Sequence, residues 1–294
     1  LVKKYFPDRI GIMTSLYVSL LILSATMTSL IAVPVATATN WRVALAQWGV
    51  FAFMVAVPWL AVLTRDTRST HAEQLRKGSE TPVAAPTRQA PLPLLRSSTA
   101  WAIGVTFAVG AFASYAFFAW LPVILVDISH LDLAQAGAFS AIFTLVGIPP
   151  ALLIPVIAQH VKRPDFILHA GTLLFLGGFV GLIFFPLVTP WLWIGILGLA
   201  PLAFPLALTL INLRTESHHT SLQLSGFAQS ISYISASFAP IIVGVTYELT
   251  GGWTVALILL ALVSTAGSFS AFIIRRGRTI EADLALKSYP SASK

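Results

Sequence analysis

Four polar side chains follow one another through an otherwise apolar stretch late in the chain. Ser225, Gln229, Ser232 and Tyr233 are separated by four, three and one residues, a spacing that places them along one side of a helix. They carry hydrogen-bond donors and acceptors but no charge. Such groups bind a polar solute or tie one helix to another, because an unpaired polar group in apolar surroundings is costly. We take Gln229 and Tyr233 as candidate substrate-binding residues, with helix-to-helix hydrogen bonding as the alternative.

Three more residues carry polar groups that could meet a solute. Tyr115 lies in the middle of an apolar segment, and Asn212 lies near the end of another, on the same face as Thr209. Arg214 follows Asn212 and could guide or bind an anion, although the helix dipole also explains a cation at a helix end. We therefore add Tyr115, Asn212 and Arg214 to the candidate substrate-binding residues, with hydrogen bonds between helices and charge placement as the competing interpretations.

The chain offers no recognisable catalytic constellation. It contains no Cys, which excludes disulfides, thiolate metal ligands and a thiol nucleophile. It has neither an HExxH zinc motif nor a GxSxG nucleophile motif, and its long apolar segments contain no Asp, Glu, Lys or Arg. His218 and His219 lie in a polar connection and are more simply explained as solvated than as metal-binding. We expect no catalytic residue, no cofactor and no metal site, which disfavours an enzyme embedded in the membrane.

The elements that position these residues are long apolar helices. Of the 294 residues, 56% are hydrophobic and 10% are charged, too few polar groups to cover a soluble globule of this size. A helix needs about 20 apolar residues to cross a hydrocarbon core, and in lipid its backbone groups must be paired within the segment. Eight such helical spans are predicted, at 11–36, 43–63, 99–126, 134–159, 166–186, 190–212, 223–247 and 253–274.

Positive charge falls on one side of these spans. All but one of the 18 Lys and Arg residues lie in the connections that share a side with the N-terminus, and Arg42 is the exception. Positively charged connections stay in the cytoplasm, so both termini are predicted to be cytoplasmic. The formal net charge of +7 is therefore a topology signal rather than the basic surface of a nucleic-acid-binding protein.

A basic segment interrupted by prolines divides the helices into two sets. It has too few apolar residues to bury a core, which is typical of a flexible linker. We predict the end of an N-terminal helical half at 1–63, a cytoplasmic linker at 64–98, a six-helix half at 99–274 and a cytoplasmic tail at 275–294.

The last two helices look like a copy of the first two. Trp41–Leu45 reads WRVAL and Trp253–Leu257 reads WTVAL, and each begins a helix that returns to the basic side. Small residues stand at every fourth position of the helix before each motif, at Ser24, Thr28, Ala32 and Ala36 and at Ser232, Ala236, Pro240 and Gly244. Such stripes let helices approach closely. A parallel repeat is typical of transporters built from two six-helix halves, which predicts four further helices ahead of Leu1.

Several short motifs occur in order along the chain. They are YFPDRIG at Tyr5–Gly11, AWLP at Ala119–Pro122, GIPPALL at Gly147–Leu153, FPLALTLI at Phe204–Ile211, LSGFAQS at Leu224–Ser230 and GGW at Gly251–Trp253. Together they resemble the cyanate and 2-nitroimidazole transporter branch of the major facilitator superfamily. The resemblance implies that the spans are helices five to twelve of twelve. Ser114 departs from the pattern, because it stands where an aromatic residue is expected.

The sequence thus predicts an all-α membrane protein of the major facilitator fold, with two helices from the N-terminal half and six of the C-terminal half. By resemblance it is a secondary active or facilitative transporter that moves a small organic solute, with an anion among the candidates, across the cytoplasmic membrane by alternating access. We expect a small-molecule substrate and the lipid bilayer as partners, no nucleic acid, and a monomer. The alternative is a non-transporting membrane scaffold or sensor, or a truncated and inactive transporter.

Overall fold

A computed structural model of the protein describes residues 9–76 and 92–288. Within those two ranges no strand is present. A short 3-10 turn at Leu94–Arg96 precedes the third helix. In chain order the helices are α1 Ile10–Ala38, α2 Trp41–Arg76, α3 Ser98–Ser129, α4 Leu133–Val146, α5 Ile148–His160, α6 Asp165–Phe184, α7 Pro190–Leu199, α8 Ala203–Leu213, α9 His218–Thr250, α10 Trp253–Ile274 and α11 Ile280–Ser288.

The described residues contain eight segments long and apolar enough to cross a membrane, which confirms the predicted number. Two of these segments are interrupted. Helices α4 and α5 meet at Gly147, just ahead of Pro149 and Pro150, and helices α7 and α8 are separated by Ala200–Leu202, which contains Pro201. Proline has no backbone N–H and disfavours helical geometry in the residue before it. The prolines therefore account for both interruptions.

The chain divides into two compact units, one holding the described parts of Leu1–Ser29 and Leu92–Lys294, the other the described part of Leu30–Pro91. In the larger unit α3 is the central helix and packs against α4, α8, α9 and α10. Phe107, Phe117 and Leu121 of α3 are at most 1% exposed. Burial of such large apolar side chains on several sides makes α3 the core of this unit.

Helix α9 packs on α3 through its stripe of small residues. Ser232 and Ala236 are buried, and Gly244 leaves room for the ring of Trp120, which a Cβ at this glycine would approach to 2.7 Å. The indole N–H of Trp120 donates to the carbonyl of Pro240 at 2.8 Å. The stripe is thus a packing face, as predicted. The corresponding stripe on α1 is exposed or half-buried.

The first part of α1 belongs to the larger unit and packs against α4 and α5. The side-chain oxygen of Gln159 accepts a hydrogen bond from the backbone N–H of Gly11 at 2.8 Å. The hydroxyl of Ser15 donates to a carbonyl of α5 at 2.7 Å, and the hydroxyl of Thr26 donates to that of Thr144 at 3.1 Å. These hydrogen bonds hold α1 along both parts of the interrupted α4–α5 span.

The smaller unit consists of the end of α1 and the helix α2. Most apolar side chains described in α2 are exposed, with Phe53 at 78%. The guanidinium of Arg42 lies 4.4 Å from the centre of the Trp41 ring, a cation–π contact. Helix α2 continues to Arg76, so the first part of the segment predicted as a linker is helical. Residues 77–91 of that segment lie outside the described residues.

The short helix α11 docks on the beginning of α3. The carboxylate of Asp283, which is 2% exposed, accepts hydrogen bonds from the Ser97 hydroxyl at 2.6 Å and from the backbone N–H of Thr99 at 3.1 Å. Ile280, the first residue of α11, is fully buried. The predicted tail at 275–294 therefore begins with an ordered helix that satisfies donors at the start of α3.

Candidate functional site

A cavity of about 120 Å³ lies in the larger unit, where α1, α3, α4, α5, α7, α8 and α9 converge. Five aromatic rings line it, those of Tyr115, Phe118, Phe143, Phe204 and Tyr233. The Phe118 ring packs edge-on against Tyr115 and Phe143, with centroid distances of 5.9 and 6.0 Å. Edge-on packing of this kind is a favourable arrangement of aromatic rings. Part of the cavity wall is thus a continuous aromatic surface.

Hydroxyl groups supply the side-chain polarity of this wall. Ser114 and Thr144 each donate to a backbone carbonyl of the preceding turn at 2.8 Å. The oxygen of Ser114 is thereby left able to accept, and that of Thr144 already accepts from Thr26 and keeps one lone pair. Tyr115 and Tyr233 are each 42% exposed, so their phenol groups are available to a ligand. The described lining contains no acidic, basic or imidazole side chain. The cavity therefore suits a small, mostly apolar molecule that makes a few hydrogen bonds.

Both interrupted spans contribute main chain to the cavity. Gly147 and Pro150 come from the junction of α4 with α5, and Gly198 and Pro201 come from the junction of α7 with α8. A Cβ at Gly198 would lie 2.6 Å from the carbonyl oxygen of Phe143, so glycine is what allows α7 to approach α4 this closely. Irregular backbone is tolerated at membrane depth where it lines a cavity or is buried in protein.

The structure brings two of the predicted site residues, Tyr115 and Tyr233, to the same cavity. Gln229 lies beside it, in an open groove of about 620 Å³ along α9. The side-chain amide of Gln229 donates to the hydroxyl of Ser225 at 2.6 Å, so the two residues hold each other on one helix. We call this depression the α9 groove; it is lined by Ser225, Gly226, Gln229, Ser230, Tyr233, Ile234 and Ser237.

Ser232, the fourth residue of the predicted polar stripe, faces another direction. It is fully buried, and its hydroxyl donates to the backbone carbonyl of Phe107 in α3 at 3.3 Å. Ser232 thus ties two helices together, which is the alternative that the sequence left open. Substrate binding by Gln229, Tyr233 and Tyr115 stays a prediction.

Asn212 and Arg214 lie at the end of α8 and are not part of the cavity lining. The side-chain oxygen of Asn212 accepts from the hydroxyl of Ser221 at 3.1 Å. The guanidinium of Arg214 donates to the carbonyls of Gly277 at 2.7 Å and Ile274 at 3.3 Å. These contacts connect α8 to the beginning of α9 and to the end of α10. A role for either residue in binding a substrate stays a prediction.

Arg214 carries its charge in a partly desolvated place. Burial lowers the pKa of its guanidinium below the ordinary value for arginine, yet an arginine stays protonated at neutral pH. The charge lies at the C-terminal end of α10, where the unpaired carbonyl dipoles favour a cation. The position of Arg214 is therefore explained by its hydrogen bonds to carbonyl groups at the end of α10.

The candidate residues omit much of the cavity wall. Thr144 has no sequence signal of its own, because hydroxyls are common in membrane helices, and Phe204 is marked only as the first residue of the FPLALTLI motif. The informative signal is the pair of proline-interrupted spans, since broken helices mark places where main chain lines a cavity. In the part of the chain that the structure describes, no group of three His, Asp or Glu side chains is arranged to hold a metal ion.

Comparisons with known proteins agree with this architecture. The chain is 33% identical over 88% of its length to an uncharacterised transporter of Bacillus subtilis, and 31% identical over 90% of its length to the 2-nitroimidazole transporter of Escherichia coli. It is 31% identical over 73% of its length to the cyanate transport protein of Escherichia coli. The chain spans 62%, 64% and 52% of the lengths of these three relatives.

The family model described as Major Facilitator Superfamily matches residues 1–221, about three quarters of the chain. The matched residues include the first six of the eight apolar spans and the helices that form most of the cavity wall. The named relatives confirm the resemblance to the cyanate and 2-nitroimidazole transporter branch. The chain is an integral multi-pass membrane protein that belongs to the major facilitator superfamily.

Proposed function

We propose that the protein is a secondary active or facilitative transporter that moves a small organic solute across the cytoplasmic membrane by alternating access. The observation that carries this proposal is the ring-lined cavity, which is bordered by α1 on one side and by helices of the predicted six-helix half on the other. A site between two helical halves is accessible from either face when the halves rock against each other. The transporter names of its relatives support the same class of function.

The proposed solute is small and planar. An apolar cavity of roughly 150 Å³ holds a benzene-sized ring, and the cavity here, at about 120 Å³, is of the same order. Aromatic walls stack favourably on a planar ring, whereas the four hydroxyls fix its polar atoms. An anion remains among the candidates, and a delocalised anion such as an aromatic carboxylate fits this wall better than a small compact one.

The contacts of α1 are compatible with rocking. They include hydrogen bonds made by the backbone of Gly11 and by the small side chains of Ser15 and Thr26. Contacts between small residues separate and re-form at low cost when packed helices slide. We accordingly propose that α1 and the α4–α5 span move relative to each other during transport.

Uptake into cells tests the proposal with three labelled probes. They are 2-nitroimidazole, a neutral aromatic molecule; 4-hydroxybenzoate, an aromatic anion; and cyanate, a small linear anion, each the namesake of a similar protein. We expect cells that express the protein to accumulate or release one of the aromatic probes faster than cells without it, and to move cyanate more slowly.

A cavity-filling variant supplies the control. Ala25→Phe places a ring inside the cavity, while Val245→Phe places the same ring on an exposed face of α9. Transport that stops with the first variant and survives with the second supports the proposed site. Equal transport by both variants would contradict it, and binding of a probe without any uptake would favour the scaffold or sensor alternative.

Three further properties belong to this proposal: the orientation in the membrane, the oligomeric state and the binding of nucleic acid. We propose that the basic end of the helices faces the cytoplasm, that the protein acts as a monomer, and that it binds no nucleic acid. The first of these rests on the charge distribution, which is the strongest topology signal in the chain.

A further inference from the structure

One side chain, Tyr233, borders both depressions of the larger unit. It lines the ring-walled cavity on one side and the α9 groove on the other. Apart from Tyr233, the described linings of the two depressions have no residue in common. The phenol ring of Tyr233 thus forms part of the partition between them.

The two depressions differ in chemistry. The α9 groove is shallow and carries the hydroxyls of Ser225, Ser230 and Ser237 together with the amide of Gln229. The cavity is mainly apolar and walled by aromatic rings. A solute that passes from groove to cavity would therefore exchange hydrogen bonds with polar side chains for contacts with aromatic rings.

The Tyr233 ring has an aromatic neighbour in the core. The ring of Phe107 lies at a centroid distance of 6.1 Å from it, and Phe107 in turn packs against Phe204 at 4.9 Å. Phe107 is fully buried, whereas Tyr233 is 42% exposed. A ring that is 42% exposed has room to turn about its two side-chain torsions without any shift of the helix.

We propose that Tyr233 is a gating residue: rotation of its ring connects the polar α9 groove to the apolar cavity, and the resting orientation closes the passage. The proposal rests on the cavity being the solute site of the proposed transporter. It assigns the closing action to the ring and a hydrogen bond with the solute to the hydroxyl. The two roles are separable, because phenylalanine retains the ring alone and alanine removes both.

The absence of cysteine from the chain makes the gate directly measurable. Ser114→Cys puts the only thiol inside the cavity, and Ser237→Cys puts it in the groove. We would measure the rate at which a maleimide reacts with each thiol in membranes from cells expressing the protein. Each thiol would be combined with native Tyr233, with Tyr233→Phe and with Tyr233→Ala.

We expect Tyr233→Ala to raise the reaction rate of the Ser114→Cys thiol at least about tenfold, since a gate that is open no more than roughly 10% of the time slows access by that factor. Tyr233→Phe should leave this rate unchanged. The Ser237→Cys thiol should react equally in all three backgrounds, which controls for a general loosening of the helix. Equal rates at Ser114→Cys with native Tyr233 and with Tyr233→Ala would overturn the proposal.

A variant with the opposite effect guards against loss of folding in Tyr233→Ala. Tyr233→Trp enlarges the ring and should slow the reaction of the Ser114→Cys thiol without slowing that of the Ser237→Cys thiol. An unchanged rate at Ser114→Cys would count against the gate. The thiol measurement needs no substrate. If Tyr233 controls access of the maleimide but no probe is taken up, the proposed transport function is wrong and the gate is supported. If a probe is taken up but Tyr233 does not control access, the gate is wrong and the transport function is supported.

Discussion

We expect the hydroxyl of Tyr233, in the cavity, and the amide of Gln229, in the α9 groove, each to bind a polar atom of the solute as it passes. Changing Gln229 to Leu keeps the approximate size of the side chain and deletes a donor and an acceptor, and Tyr233→Phe deletes one hydroxyl. Loss of a hydrogen bond to the solute should cost about 1–3 kcal/mol, hence a roughly ten- to hundredfold weaker apparent affinity in a competition uptake assay.

The same two variants distinguish binding from helix packing. The one hydrogen bond that the structure gives to the side chain of Gln229 goes to Ser225 on the same helix, so its removal should leave the melting temperature nearly unchanged. A lowered melting temperature with intact affinity would mean that these residues hold helices together. Thr246→Val, which removes an α9 hydroxyl outside the described cavity and groove, is the matched control.

Arg214 should behave in the opposite way. Arg214→Lys keeps the charge but cannot reproduce the planar fork that reaches the carbonyls of both Gly277 and Ile274. We expect the melting temperature to fall by a few degrees, corresponding to about 1–2 kcal/mol, with solute affinity preserved. Weakened affinity at an unchanged melting temperature would instead support the sequence-based prediction that Arg214 binds the substrate.

At the scale of elements, the approach of α7 to α4 depends on Gly198. A methyl group there meets the carbonyl oxygen of Phe143, and backbone atoms cannot move aside as a flexible side chain can. Gly198→Ala should therefore destabilise the protein by about 1–3 kcal/mol. Gly195 lies on the same helix with open space around its Cβ direction, so Gly195→Ala should be neutral or stabilising by about 0.5–1 kcal/mol. Thermal unfolding of the two variants in detergent compares them; equal melting temperatures would show that α7 does not need this contact.

Helix α11 should hold the start of α3 through a single carboxylate. Asp283→Ala removes the acceptor of Ser97 and of the Thr99 backbone N–H and leaves both donors buried, at a cost of about 1–3 kcal/mol. Leu286→Ala, on the same helix at an exposed position, should cost much less. Limited proteolysis after Arg275 and Arg276 reports undocking, which should be faster in the first variant alone. Equal cleavage in both variants would indicate that Asp283 does not anchor the helix.

The sequence predicts which segments are helices better than where they break or end. Eight apolar runs and their lengths follow from the requirement that lipid-embedded backbone be paired internally, and all eight are present in the described residues. The docking of α11 was not predicted, because a helix of nine residues in a charged tail has no apolar run to reveal it. Asp283 can be recognised as the anchor of α11 only from its hydrogen bonds to Ser97 and Thr99 in the structure.

At the scale of the whole molecule, residues that lie far apart in the chain meet at the cavity and directly beside it. The hydroxyls of Thr26 and Thr144 lie 3.1 Å from each other although 118 residues separate them in sequence. Periodicity predicts which residues share a face of one helix, as for Gln229 and Tyr233, but not which other helix that face meets. For that reason Tyr115 and Tyr233 were each predictable as polar groups at membrane depth, while their common cavity was not.

Orientation in the membrane is a whole-molecule prediction that the cysteine-free chain makes simple to test. A single His130→Cys lies between α3 and α4, opposite the basic end, and a single Ser288→Cys lies at the end of α11. We expect a membrane-impermeant thiol reagent to label the former in intact cells and the latter only after the cells are opened, because positively charged connections stay inside. Labelling of Ser288→Cys but not of His130→Cys in intact cells would reverse the predicted topology.

The two proline-interrupted spans bear on how this protein can acquire new specificities. The cavity wall that they supply includes main chain at Gly147, Pro150, Gly198 and Pro201, where the prolines interrupt the helices and a Cβ at Gly198 would meet the carbonyl oxygen of Phe143. Ser114, Tyr115, Thr144 and Tyr233 instead project from regular helices, so their replacement changes the surface that a solute meets and leaves the frame in place. Substitutions that change substrate preference among descendants of this chain should therefore accumulate on α3 and α9. The residues of α7 and of the α4–α5 junction should change least.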